Sequence, residues 1–183
     1  MDNDLSRLND DLRAVSEDVQ KTFTKLSTEQ LNWKPSSEKW SVGQCFAHLV
    51  AANKGMIARI EGKLNKSSPT TFWERLPLLP RFFGKIIGNA VSPDGQRKIK
   101  APKVFEPTES TVDIGIVERF LEFQPKISAA MERCDNVQIV MGSPAAAFIT
   151  YSLLDAFRIV VRHEQRHLGQ ARRVLETDGF PTQ

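Results

Sequence analysis

The chain holds three histidines, His48, His163 and His167. Two of them are four residues apart in His163-Glu164-Gln165-Arg166-His167. Residues at i and i+4 share one face of a helix, so both imidazoles can grip a single metal ion. His48 lies in a separate stretch of apolar periodicity and supplies a third nitrogen if the two stretches are neighbours. Three neutral imidazoles leave one coordination position open, the arrangement of catalytic zinc, in which the vacancy takes water or substrate. Zinc or nickel is the first expectation; iron and manganese accept the same donors, because ligand type alone does not choose the ion. The competing reading makes His163 and His167 helix-surface residues and His48 a satisfied core histidine. For an isolated pair the two readings stand about even.

The same five residues match H-E-x-x-H, the signature of zinc proteases. Their surroundings oppose a protease. The extended signature wants a glycine three residues beyond the second histidine and a further histidine three residues on. Gln170 and Arg173 stand there instead. Glu164 projects about 100° from His163 around a helix, so it can orient a ligand or act as a general base toward activated water. A solvated surface glutamate is at least as strong a reading. Arg158, Arg162 and Arg166 repeat every four residues along one helical edge. Arg162 and Arg166 are candidates for holding the carboxylates of a thiol cosubstrate, since guanidinium forks match carboxylate oxygens. The alternative is a basic solvated edge, or pairing with Glu118, Glu122 or Glu132. Cys45 precedes His48 by one turn, but small buried thiols are commoner than ligands. Trp40, Phe46, Phe82, Phe83, Phe120 and Phe157 read mainly as core.

Four helical patterns must position these groups. Leu5, Leu8, Leu12, Val15, Val19 and Phe23 step by three and four, predicting a helix over 5–26. Ser27 and Gln30 form a second start signal, cut short by Pro35. Ser41-Val42-Gly43-Gln44 is a capping box ahead of a helix that carries His48 and fades near Lys66. Prolines and glycines punctuate 66–109, with room for a short helix between Leu78 and Ile87 and a turn at Asp94-Gly95. A third long helix is predicted from Ser110 to Cys134, kinked by Pro125. The fourth starts at Ser152, capped with Asp155, and runs to Gly179. Little alternating strand pattern is visible. Short links make the first and second helices antiparallel, and likewise the third and fourth. The long link lets the second and third run parallel. The expected fold is all-α: a four-helix bundle with a long crossover between helices two and three.

Composition sets the outer limits. The 183 residues suit one domain spanning 1–183. Apolar residues at 40% and charged residues at 26% exclude a disordered, collagen-like or rod-like chain. A net charge of +3 is too mild to argue for nucleic acid. Two cysteines make no disulfide framework and read as reduced thiols. The acidic opening Met1-Asp2-Asn3-Asp4 does not suit a secretory leader. Gly142, Pro144, Asp155 and Arg158 interrupt the most apolar stretch, so no spanning run is expected. A cytoplasmic protein with no membrane or nucleic-acid partner follows as the expectation.

Three segments carry a resemblance. Trp40-Ser41-Val42-Gly43-Gln44-Cys45-Phe46-Ala47-His48-Leu49 resembles the first signature of the DinB-like superfamily. Pro102-Lys103-Val104-Phe105-Glu106-Pro107 resembles the segment ahead of its third helix. His163-Glu164-Gln165-Arg166-His167-Leu168-Gly169-Gln170 resembles its last signature. The three stand in family order. The resemblance implies an up-down-down-up bundle, a divalent metal held by His48, His163 and His167, and frequent homodimers. It also implies an activity toward a small-molecule substrate, either hydrolysis or S-transfer and isomerisation with a low-molecular-weight thiol such as mycothiol or bacillithiol.

Overall fold

The computed structural model describes residues 3–91 and 111–182. The chain is mostly helical. In order come α1 (Asn3–Thr22), α2 (Thr28–Asn32), α3 (Val42–Leu64), a 3-10 turn at Trp73–Arg75 and α4 (Leu79–Ala90). Then follow α5 (Ile116–Leu121), α6 (Gln124–Glu132), strands β1 (Val140–Gly142) and β2 (Thr150–Ser152), and α7 (Leu153–Leu175). The predicted turn at Asp94-Gly95 and the segment Pro102 to Pro107 lie outside the described residues.

Helix starts are written in the local sequence. Ser41 caps α3 through its hydroxyl, which accepts from Gln44 N–H, while the Gln44 side chain accepts from Ser41 N–H. Ser27 and Gln30 make the same reciprocal pair at α2, which ends after five residues, ahead of Pro35. Ser152 caps α7 by accepting from Asp155 N–H at 3.1 Å, the start expected from sequence.

Three expectations are corrected. The third helix is two helices, because Pro125 has no N–H to offer the Leu121 carbonyl; α5 stops at Leu121 and Pro125 sits in the first turn of α6. It also begins at Ile116 rather than near Ser110. The fourth helix ends at Leu175, short of Gly179, which has φ +84 beyond the end. Finally, β1 and β2 pair antiparallel, with Met141 opposite Tyr151, where no strand was expected. Each strand is three residues long, too short for alternation to register.

Packing divides every long element in two. One apolar cluster joins Leu5, Leu8 and Leu12 of α1 with Met56 and Ile60 of α3, and extends through Ile127 of α6 to Phe157 and Val161 of α7. The other joins Val15 and Val19 with Leu49, Phe120 and Leu168. Between them, at the middle of α3 and α7 and the start of α6, stand the buried polar residues Asn53, Glu164 and Gln124. A polar waist therefore separates two apolar halves. α7 packs most extensively on α3 and then on α1.

Candidate metal centre

His48 enters the site two turns into α3, and the capped start of that helix fixes its rotation. His163 and His167 follow one another by a turn on α7, the helix packed against it. His48 Nε2 and His163 Nε2 are 3.0 Å apart. The ring centroids lie 4.9 Å apart for His48 and His163, 4.5 Å for His48 and His167, and 4.6 Å for His163 and His167. One nitrogen from each ring falls within 4.8 Å of the others. Two imidazole nitrogens at 3.0 Å must share a proton or a cation, since two bare lone pairs repel. His48 is buried, whereas His163 and His167 keep partial exposure, so the group opens on the α7 side.

Electrostatics favour the neutral, ligating form. Burial pushes His163 well below its ordinary 6.5, and His167, His48 and Arg166 push it further. Burial likewise takes His167 down to about 3, with His48 and Arg166 adding to it and a hydrogen bond with Gln170 opposing. His167 Nδ1 is buried without a hydrogen-bond partner. Three converging imidazoles, two of them kept neutral by burial and one with an orphaned nitrogen, fit a divalent metal. Among the described residues, no carboxylate or thiol joins the group.

Glu164 is not a solvated surface residue: it is 0% exposed. Its Oε1 accepts from Asn53 Nδ2 at 2.7 Å and Gln124 Nε2 at 3.1 Å, while Oε2 has no partner. Burial raises its carboxyl to about 7 against those two hydrogen bonds. It therefore ties α7 to α3 and α6 in the waist and stands outside the histidine group. Arg158 pairs with Asp4 at 2.6 Å and Asp155 at 3.5 Å, not with Glu118, Glu122 or Glu132. Arg162 is exposed, its guanidinium beside Gly88 of α4. Arg166 is half-buried and close enough to act on both α7 histidines. Cys45 packs in the core, where burial pushes its thiol up to about 12.

The sequence reading missed Trp40 as a site residue. Its ring stacks on His167 at 5.8 Å and 19°, and tilts on His48 at 5.1 Å. The signal was its position one residue before the cap of α3, where a side chain folds back beside the first turns of the helix. Asn53 and Gln124 were missed as well, because their partner is distant in sequence.

With that geometry in place, the comparison with known proteins is decisive. A model of the DinB superfamily matches residues 11–171. The chain belongs to the DinB superfamily. It is also similar to YuaE, an uncharacterized protein of Bacillus subtilis (strain 168), with 27% identity over 156 residues, 82% of this chain and 86% of YuaE. No solved structure matches it significantly. The match to the DinB superfamily includes all three histidines.

Proposed function

We propose that this DinB-superfamily protein is a metal-dependent enzyme whose ion is held by His48, His163 and His167. The observation that carries the reading is the convergence of three imidazoles within 4.8 Å, with two of them reaching toward solvent. When bound, such an ion supplies Lewis acidity, lowering the pKa of a water or thiol at the open position. The protein's part is to keep His163 and His167 neutral by burial and by the nearby Arg166. Trp40 walls the group on the His48 and His167 side and limits entry to the other. Arg166, and Arg162 one turn before it, would attract an anionic substrate or the carboxylates of a thiol. Hydrolysis and thiol S-transfer share this apparatus, and zinc or nickel is the first choice of ion.

The same reading takes the chain as one four-helix bundle domain of up-down-down-up order, with α5 and α6 together forming the third member. Its support is the partition of the core. The first half of α1 and of α7 shares a cluster with the second half of α3 and with α6, as two helices running up and two running down would give.

Elemental analysis of the untagged protein tests the site. About one equivalent of metal is expected in the wild type, with loss in His48→Ala, His163→Ala and His167→Ala and helical circular dichroism retained. Unchanged metal in any of the three variants, or none in the wild type after incubation with zinc, nickel and manganese, sinks the shared site. Activity is then sought by screening ester and amide hydrolysis and thiol conjugation, with His163→Ala as the blank.

A further inference from the structure

A second unusual region lies on α4, which packs Ile87 against the core but turns other apolar residues outward. The residues it buries are Gly84 and Gly88. A Cβ at Gly84 would stand 2.6 Å from Asp155 Oδ2, so the missing side chain lets α4 lie against α7 without displacing that carboxylate. On its other side Leu78, Phe82 and Ile86 step by four and are 79%, 59% and 48% exposed. The rings beside them are continuous. Phe82 meets Phe83 at 5.3 Å, and Phe83 meets Phe148 of the β1–β2 loop at 6.3 Å. Phe148 meets Trp73 at 6.4 Å, and Trp73 meets Phe72 at 5.4 Å. Among the described residues, Ile114 is the one other large hydrophobic side chain so exposed. Single exposed apolar residues are ordinary, but a connected patch marks a binding surface.

Charge narrows the occupant. Residues 75–91 contain Arg75, Arg81 and Lys85, all exposed, and no aspartate or glutamate. Residues 143–149 carry no charge at all. The adjoining acid, Glu74, is turned inward and buried. It pairs with Lys63 at 2.7 Å and accepts from the backbone N–H of Thr71 and Gly142. The patch is therefore apolar with a cationic rim.

We infer that this face, built from the outer side of α4, the 3-10 turn and the β1–β2 loop, docks on an anionic lipid surface. A second copy of the chain meeting the patch about a two-fold axis would bring the two sets of cations together, which opposes the contact. An anionic bilayer accommodates both features. Aromatic rings and leucine enter the boundary between headgroups and acyl chains, while arginine and lysine meet lipid phosphates. Among the described residues no helix is long and apolar enough to cross a membrane. Lying on one requires only the twelve-residue α4. The expectation of no membrane partner rested on the missing span, a separate matter. The inference is independent of the metal reading.

Sedimentation of the full-length protein with vesicles tests it. One set is pure phosphatidylcholine, the other phosphatidylcholine and phosphatidylglycerol in roughly equal parts. Binding is expected to the anionic set alone and to fall with added salt. The Leu78→Ser, Phe82→Ser double variant should bind more than tenfold more weakly. Arg81→Gln and Lys85→Gln should each lower binding about fivefold. All four positions are exposed, and unchanged circular dichroism would establish that the variants fold. Absence of sedimentation, equal binding to neutral vesicles, or wild-type binding by the double variant would overturn the inference. So would a dimer in light scattering that the double variant abolishes while vesicles go unbound, since the occupant would then be a second copy.

Discussion

The middle of α7 buries Glu164 completely between Asn53 and Gln124, whereas α4, lying on the same helix, leaves Phe82 59% exposed. Both departures from apolar-inside packing are unfavourable when nothing answers them. A carboxylate out of water is penalised by several kcal/mol, and exposed apolar surface by about 25 cal/mol per Å2. They differ in who answers. At the waist the chain supplies its own amide donors, and beside them the histidines converge with an orphaned nitrogen. On α4 Phe82 and Ile86 stay exposed. Polarity inside thus marks a site largely completed by the protein, and apolarity outside marks one completed by something else.

The sharpest way to test the contrast is to make one substitution in both places. Phe157, 0% exposed on α7, packs among Leu5, Met56 and Ile127. Phe157→Ala should lower stability by about 4 kcal/mol through lost contacts and a residual cavity. Urea unfolding followed by circular dichroism measures this, and a loss under about 1 kcal/mol would mean that the apolar half is not tightly packed.

Next in size is the waist. Glu164→Ala removes the acceptor shared by Asn53 Nδ2 and Gln124 Nε2 and leaves two buried donors unpaired. A loss of about 3 kcal/mol is expected, and Glu164→Gln, which keeps an acceptor oxygen, should lose less. Equal losses would show that the donors find other partners and that the waist is not closed by this carboxyl.

Local chemistry made much of this readable in advance. The caps at Ser27, Ser41 and Ser152 depend on residues three apart, and the pairing of His163 with His167 depends on one helical turn. Pro125 was readable as an interruption, but whether it kinks or divides a helix is decided by what the flanking turns pack against. For Glu164 the sequence left a ligand-orienting or general-base role beside a solvated surface, and only the surface is excluded. The partners that bury the side chain lie 111 and 40 residues away, where no local pattern reaches. Phe82 was misjudged: apolar character suggests an inward face, but α4 shares its inner side among Gly84, Gly88 and Ile87 and leaves Phe82 exposed.

Buried polarity away from the waist gives a smaller, pH-dependent effect. Burial raises the Tyr151 phenol from 10 to about 12, against a hydrogen bond with Ser143 and the attraction of Arg59. The folded protein therefore holds this proton more tightly than the unfolded chain. Its contribution is intact below pH 10 and is progressively lost as pH rises toward 12. Urea midpoints measured across that range should fall less steeply in Tyr151→Phe. An identical slope would mean that the phenol reaches water.

The smallest expected change belongs to α4. Phe82→Ala should alter stability by no more than about 0.5 kcal/mol, because the ring is already largely in water and leaves no cavity. The comparison with Phe157→Ala depends on that near-zero value. The same residue type, on two helices in contact, would then be indispensable to the fold in one place and dispensable in the other. A loss of 2 kcal/mol or more, far above the ordinary ~0.5 kcal/mol for surface positions, would place Phe82 in the packing of the chain itself. The ring cluster would then be a small core of α4, Trp73 and Phe148, and the apolar residues exposed on that helix would need no outside occupant.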